Sequence, residues 1–526
     1  MDLERVLWGG LLVDGTGAPG VRADVGLEGD RIVAVGPGLR GGETIDCSGH
    51  VVCPGFIDPH SHSDVKVLAD PALPMMVRQG ITLEVFGQDG ISVAPVREGE
   101  RSVWKQKLSG LLGDFGVAWD WTTTRDYLDR VQAAQPVPDF AYLVPHGAIR
   151  QVAMGGDDRA PSSEELARMQ ALLREGIDEG ACGLSTGLIY PPCCYAQTEE
   201  LIALGLVLAQ ARRPLVVHMR SESDRILEAV GEMLTVARES GCAVQISHLK
   251  IAGRDNWGRA EEMVALVEGA RAEGLAITAD QYPYVAGSTL LGAILPPWAH
   301  DGGTTATLER LRDPAARERM RAQMADRSPT DWDNFWKWSG PEGIVIADIP
   351  SGRHADRLGK SLAEAAATWK KDPFEAAFDL LLEERMGVAM VSFSQDEAVV
   401  RRFLALPWVN ACTDGLLGGR PHPRAYGTFP RILGRYVRDE RVVSLEQAVR
   451  KLTSQAADAF GFVGHGRVRE GARANLVVFD PATVADRATF EEPIQYPVGI
   501  RDVLVGGVPV VRNGEATDAR PGRLVR

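Results

Sequence analysis

Over residues 1 to about 54, short apolar runs alternate with polar, glycine-rich breaks. Arg5–Trp8, Leu11–Val13, Ile32–Val35 and Val51–Cys53 are the apolar segments, and Gly and Asp turn chemistry separates them. That spacing predicts short antiparallel strands. The far C-terminus has the same texture: Ala474–Phe479, Ile500–Val505 and Val508–Val511 are broken by Asp-Pro and Gly-Gly, with no helical period between them.

Between these ends the pattern changes. Apolar strand-like runs alternate with helical segments expected over Ser162–Glu175, Glu199–Ala211, Asp224–Ser240 and Ala260–Glu273. This βα rhythm predicts a parallel sheet or barrel. The expected architecture is an α/β fold, a (β/α)8 TIM-like barrel at 55–462, with a small β-sandwich or β-barrel domain built from both chain ends, 1–54 and 463–526. Residues 288 to about 345 lack the βα rhythm and hold Trp298, Trp332, Trp336 and Trp338. They read as an insertion after a strand, where the aromatics build a small core or line a substrate lid.

Composition narrows the class. At 526 residues, 45% hydrophobic and 24% charged, the chain is globular in type, and no run approaches the ~20 apolar residues of a spanning helix. A net charge of −14 disfavours nucleic acid and anionic membranes as partners. The seven cysteines are odd in number and lack a framework spacing, so the cytoplasm is the expected compartment. The first residues, MDLERVLWGGLLVDGTG, read as strands rather than as a secretion signal.

The chemistry gathers at predicted strand ends. Val51–His62 closes an apolar run with His60 and His62, and on a strand residues i and i+2 share a face. Two such histidines alone are a weak metal signal. Pro214–His218 and Val244–His248 each end another apolar run in a histidine, thirty positions apart, the length of one βαβ unit. Four of ten histidines at the C-terminal ends of strands, where barrels of this kind build their sites, point to a metal centre. A hydrolytic metal site also needs a proton acceptor, and Val409–Gly415 ends a late strand in Asp414. Asp-Gly is also a common turn pair. Lys250, Tyr282 and Arg424 stand where they could reach the same pocket, or could be solvated loop residues; spacing leaves that choice open.

Nearly the whole chain resembles the amidohydrolase superfamily and, within it, the N-acyl-D-amino-acid deacylase (D-aminoacylase) group. The resemblance rests on PGFIDPHSH at 54–62, GLSTGLIYPP at 183–192, HMRSES at 218–223, SHLK at 247–250, DQYPY at 280–284, TDG at 413–415, HPRAYGTFPR at 422–431 and REGARANLVVFDP at 469–481. It implies a zinc enzyme with one or two ions, another divalent metal being possible, that hydrolyses the amide of a small N-acyl-D-amino acid to a carboxylate and a free D-amino acid. His60 and His62 would hold one metal position and His218 and His248 the other. Asp414 would be a metal ligand and the general base for a metal-bound hydroxide. Lys250, Tyr282 and Arg424 would hold the substrate α-carboxylate. A homo-oligomer is possible.

One position departs from the group. Where its members carry Asn-Cys-Gly, with the cysteine on zinc, this chain reads Gln88-Asp89-Gly90, so Asp89 stands in the thiolate's place as an expected metal ligand. Two other readings compete. A cyclic-amide hydrolase of the hydantoinase kind shares the paired histidines and the barrel, but no lysine is placed as its bridging carbamate. A catalytically dead oligomeric scaffold would have lost ligands that this chain keeps.

Overall fold

The computed structural model describes residues 3–526. Eight parallel strands form one sheet in sequential order: β1 (Phe56–Asp58), β2 (Ile81–Phe86), β3 (Asp139–Pro145), β4 (Gly183–Gly187), β5 (Leu215–His218), β6 (Val244–Ile246), β7 (Ile277–Gln281) and β8 (Val409–Ala411). A parallel bridge between Ser61 and Gly415, beyond the ends of β1 and β8, brings the first and last strands together and nearly closes the barrel. Strands in such a barrel are covered on both faces, which is why β2 and β3 are buried along their whole length.

The connecting helices bury one apolar stripe against the strands. Ser163–Glu179 begins with a capping box in which Ser162 and Glu165 each bond the other's backbone N–H. Its residues Met169, Leu172 and Leu173 pack into the same apolar cluster as Leu184 of β4 and Leu201 and Leu204 of the next helix, Thr198–Ala211.

Both chain ends meet in the expected small β unit. Leu476–Phe479 pairs antiparallel with Val51–Pro54, Val477 opposite Cys53, in a seven-stranded sheet; a second, four-stranded sheet includes Leu3–Trp8 and Gly41–Asp46. Leu7, Val25, Val52, Leu476 and Leu504 share one core between them. The last residues depart from the expectation that 463–526 belongs wholly to this unit. The Phe140 N–H of β3 donates to the carbonyl of Arg523, and the Val525 N–H donates to that of Phe140, so the tail closes against the barrel.

The departure from βα rhythm is longer than residues 288–345. Between β7 and β8 the chain forms an antiparallel sheet of Ala286–Leu290, Ile344–Asp348 and Ala389–Phe393, with Ala389–Phe393 central. Its final strand returns only after two further helices, Leu362–Trp369 and Pro373–Glu383. The tryptophans build a core here: Trp336 stacks on Phe374 at 4.1 Å and Trp338 lies 4.4 Å from Phe335. Among the described residues no helix is long and apolar enough to cross a membrane.

Candidate metal centre

Six of the expected site residues converge at the C-terminal mouth of the barrel. His60, His62, Asp89 and Asp414 present ligand atoms within 4.8 Å of one another, and Asp89, His218 and His248 form a second such group, so Asp89 belongs to both. Its Oδ1 lies 3.7 Å from His60 Nε2, 3.6 Å from His248 Nε2 and 3.9 Å from His218 Nδ1, while Oδ2 lies 3.6 Å from His62 Nε2. Asp414 Oδ1 is 3.1 Å from His62 Nε2 and 3.5 Å from His60 Nε2. All six are buried.

The histidines do not sit on strands as alternation alone suggested. His218 is the last residue of β5, but His60, His62 and His248 lie just past the ends of β1 and β6. Three site residues hold left-handed backbone, Asp89 at φ 57°, Asp414 at φ 47° and His248 at φ 35°, a conformation that costs about 1–3 kcal/mol for a residue with a side chain. The surroundings enforce it. The Gly90 N–H donates to Ser185 Oγ at 3.0 Å and that hydroxyl donates to the Gly87 carbonyl, gripping the turn on both sides of Asp89. Gly187 is opposite, where a Cβ would run into the Asp89 carbonyl. The Asp414 N–H donates to the His60 carbonyl at 2.9 Å, and the His248 N–H donates to Asp280 at 2.6 Å.

The electrostatics suit a cation. Burial pushes the Asp89 carboxyl up, but His60 and His248 outweigh it and hold the group well below the usual carboxylate range. Asp414 follows the same course: burial raises it, and Arg424, His60 and His248 bring it far down. Both ring nitrogens of His60 and His218, and Oδ1 of Asp89, are buried without a hydrogen-bond partner. Buried polar atoms are almost always satisfied, and orphans clustered on imidazole nitrogens and a carboxylate oxygen are donors matched to a divalent ion. The set therefore fits zinc, or another ion that accepts nitrogen and oxygen ligands.

The three residues expected to hold a carboxylate border the same centre. Arg424 lies over the Tyr282 ring at 4.5 Å and Lys250 faces it at 5.7 Å. The strand ends at Gln281, so Tyr282 lies just past β7 and not on it, and its hydroxyl accepts from Gln395 at 2.9 Å. The cations are partnered within the protein. Arg424 Nη1 is 2.8 Å from Asp414 Oδ2, and Lys250 Nζ donates to Glu222 at 2.6 Å.

Glu222 is the main residue that sequence reasoning missed. It lies 3.1 Å from His248 Nδ1 and 3.6 Å from His218 Nε2, on the side of each ring away from the Asp89 contact. Burial pushes its carboxyl up, but Lys250 and the two histidines pull it far below the usual range. Such a carboxylate orients ligand imidazoles. Its signal was available, since it stands four residues after His218, yet only the fold turns it back toward both rings. Asp280 in β7 was also passed over; it grips Gln245 at 2.7 Å and the His248 backbone, and lies 3.7 Å from His60 Nδ1.

With this geometry in hand, comparison with known proteins is specific. The pattern of the amidohydrolase family matches residues 43–511. The chain is 36% identical to a D-aminoacylase of Alcaligenes xylosoxydans xylosoxydans, over 99% of this chain and 97% of that one. It is equally 36% identical to an N-acyl-D-glutamate deacylase of the same organism, over 100% and 96%. Among solved structures, N-acyl-D-glutamate deacylase from Bordetella bronchiseptica, complexed with zinc and a phosphonate that mimics the tetrahedral intermediate, superposes with a TM-score of 0.85 at 35% identity, covering all of both chains.

Proposed function

The chain belongs to the amidohydrolase family, and on that premise we propose that it is a zinc-dependent hydrolase of the linear amide bond of N-acyl-D-amino acids. One observation carries the reading: Asp89, shared between the His60–His62 pair and the His218–His248 pair, lies in the same buried cluster as Asp414. The D configuration is supported by the names of the two curated relatives.

His60, His62, Asp89, His218, His248 and Asp414 are the proposed ligands. A divalent ion bound there supplies Lewis acidity to the amide carbonyl and lowers the pKa of a bound water. Asp414 takes the proton of the attacking water and delivers it to the departing amine nitrogen. Lys250, Tyr282 and Arg424 fix the α-carboxylate, which places the scissile amide beside Asp414. The position between the two histidine pairs is held by Asp89 and not by a lysine, which sets the site apart from a carbamate-bridged cyclic-amide hydrolase. All seven cysteines are free thiols, six of them buried, which suits a reducing compartment such as the cytoplasm.

The test is release of primary amine from N-acyl-D-amino acids against ring opening of hydantoin and dihydrouracil, with Asp414→Asn as the control. We expect amine release from the linear substrates, lowered by ~10²–10⁴ in the variant. Ring opening without amine release would replace this reading.

A further inference from the structure

The unit inserted between β7 and β8 reaches, directly or through one neighbour, every residue of the proposed carboxylate cradle. Asp333, just ahead of the inserted helix Phe335–Gly343, is buried, and its carboxylate faces the segment after β5. Oδ1 accepts from the hydroxyls of Ser221 and Ser223 at 2.8 and 2.7 Å, and Oδ2 accepts from the Glu222 N–H at 2.9 Å. Lys337 on that helix donates to both oxygens of Asp224, at 3.0 and 2.8 Å. Residues 221–224 are thus gripped by the inserted unit, and the Glu222 carboxylate accepts from Lys250. Gln395, two residues beyond the inserted strand Ala389–Phe393, donates to the Tyr282 hydroxyl. Arg424 donates to the Ser288 carbonyl of the inserted strand Ala286–Leu290. Resting on the hydrolase reading above, we propose that the inserted unit is the frame that aims the cradle, with Asp333 and Gln395 as its positioning residues.

A contact made for stability alone is poorly served by this arrangement. Burial, and then the charge of Glu222, push the Asp333 carboxyl up to about 7, so the inserted unit seats one buried carboxylate near another. Like charges brought together in the interior cost free energy, and three donors from a single loop offset it. What the arrangement fixes is the Glu222 backbone. Its N–H is held by Asp333 and its carbonyl accepts from the Ala252 N–H at 2.7 Å, so the peptides on both sides of Cα are set. The direction of the side chain toward Lys250 and His248 follows from them.

The polarity of the other two holds is equally specific. The Gln395 amide donates, so the Tyr282 oxygen is the acceptor and its own proton stays free for a carboxylate. Gln395 is itself anchored by its N–H, which donates to the Val285 carbonyl at 3.1 Å. At His422 the Arg424 N–H donates to Nδ1 at 2.9 Å, which leaves the ring proton on Nε2, and that nitrogen donates to the Ala286 carbonyl at 3.0 Å. The backbone of Arg424 is therefore tied, through one imidazole, to the same inserted strand that receives its guanidinium.

The experiment measures zinc affinity by competition with a chelator, and KM and kcat on an N-acyl-D-amino acid, in a set of full-length variants. Asp333→Ala should weaken zinc binding by about 10–100-fold, as loss of an outer partner does, and raise KM. Asp333→Asn should recover most of the affinity, because the serine hydroxyls can turn to accept from the new amide while its oxygen keeps the Glu222 N–H. Gln395→Glu, equal in size but an acceptor only, should claim the Tyr282 proton and raise KM by about tenfold or more, with zinc affinity unchanged. Arg317→Ala breaks ion pairs with Glu375 and Asp379 inside the inserted unit; it should lower the thermal transition and leave zinc affinity and KM as they are. Equal losses in every variant, wild-type zinc affinity in Asp333→Ala, or wild-type KM in Gln395→Glu overturns the assignment, and amine release by the wild type then leaves the hydrolase reading intact. A wild type that binds zinc and cleaves no N-acyl-D-amino acid overturns that reading and the role of Gln395 with it, and the zinc affinities still decide the role of Asp333.

Discussion

Arg424 and Asp414 form a buried ion pair, with Nη1 2.8 Å from Oδ2, at the point where the proposed base meets the proposed carboxylate cradle. The guanidinium also donates to the Ser288 carbonyl at 3.0 Å, while its Nε and Nη1 make no hydrogen bond of good geometry. It is therefore pre-placed with spare donors, and a substrate carboxylate could engage it without drawing it away from the site.

Replacing that residue should weaken substrate binding and, because it is paired with Asp414, should also alter the proposed base. In Arg424→Lys the forked geometry is lost and the charge is kept, and in Arg424→Ala both are lost. A charge-assisted hydrogen bond contributes about 1.5–3 kcal/mol, so KM for an N-acyl-D-amino acid should rise by roughly one to two orders of magnitude in the alanine variant and less in the lysine variant. Steady-state kinetics checks this; an unchanged KM in Arg424→Ala would remove the residue from the cradle.

Asp89 offers oxygen where a thiolate would mark itself spectroscopically. Wild-type protein loaded with cobalt should show ligand-field bands without a thiolate-to-cobalt charge-transfer band, and Asp89→Cys should gain that band. Because Asp89 faces both histidine pairs, Asp89→Ala should lower metal content as measured by elemental analysis. Full metal retention in the alanine variant would reduce Asp89 to a turn carboxylate.

Glu222 acts through His218, His248 and Lys250. Glu222→Gln removes the charge that balances Lys250 and weakens the hold on both rings, and the loss of such an outer partner costs about 10–100-fold in metal affinity or activity. Competition with a chelator measures the affinity directly. A variant with wild-type affinity and altered KM alone would place Glu222 in substrate binding.

Beside the apolar packing that joins barrel and β unit, a buried ion-pair cluster spans the same joint. Arg473 donates to both oxygens of Asp139, at 2.7 and 2.8 Å, and to Asp30 at 3.0 Å, linking the start of β3 to both chain ends. Removing one partner of a buried pair costs about 3–5 kcal/mol because the other charge is stranded. Arg473→Ala should lower the thermal transition clearly, whereas Arg501→Ala, whose Asp502 partner is adjacent in sequence and whose side chain is partly exposed, should change it little.

Much of the site was legible before any coordinates. His60, His62, His218, His248 and Asp414 each close an apolar run, and the C-terminal ends of barrel strands converge on one mouth whatever the loop details. Asp89 became visible only through the family resemblance, because a single Asp-Gly in a loop carries no period. Glu222 and Asp280 stayed hidden for a related reason: their roles are to face other side chains, and facing is set by how β5, β6 and β7 pack side by side. The insertion runs past residue 345 because its central strand, Ala389–Phe393, pairs with Ala286–Leu290 and Ile344–Asp348, contacts between segments far apart in sequence.

By itself the sequence determined the alternation of strands and helices, the pairing of both chain ends into a β unit and the ligand types at the barrel mouth. These follow from local periodicity and side-chain chemistry, which survive any particular packing. Tertiary structure alone decided that Asp89 stands between two histidine pairs, that Arg424 rests on Asp414, and that the inserted unit reaches Glu222, Tyr282 and Arg424. Each of these depends on distances between residues far apart in the chain. Such distances are fixed by the closure of eight strands and the seating of the insertion, and no stretch of sequence encodes them locally.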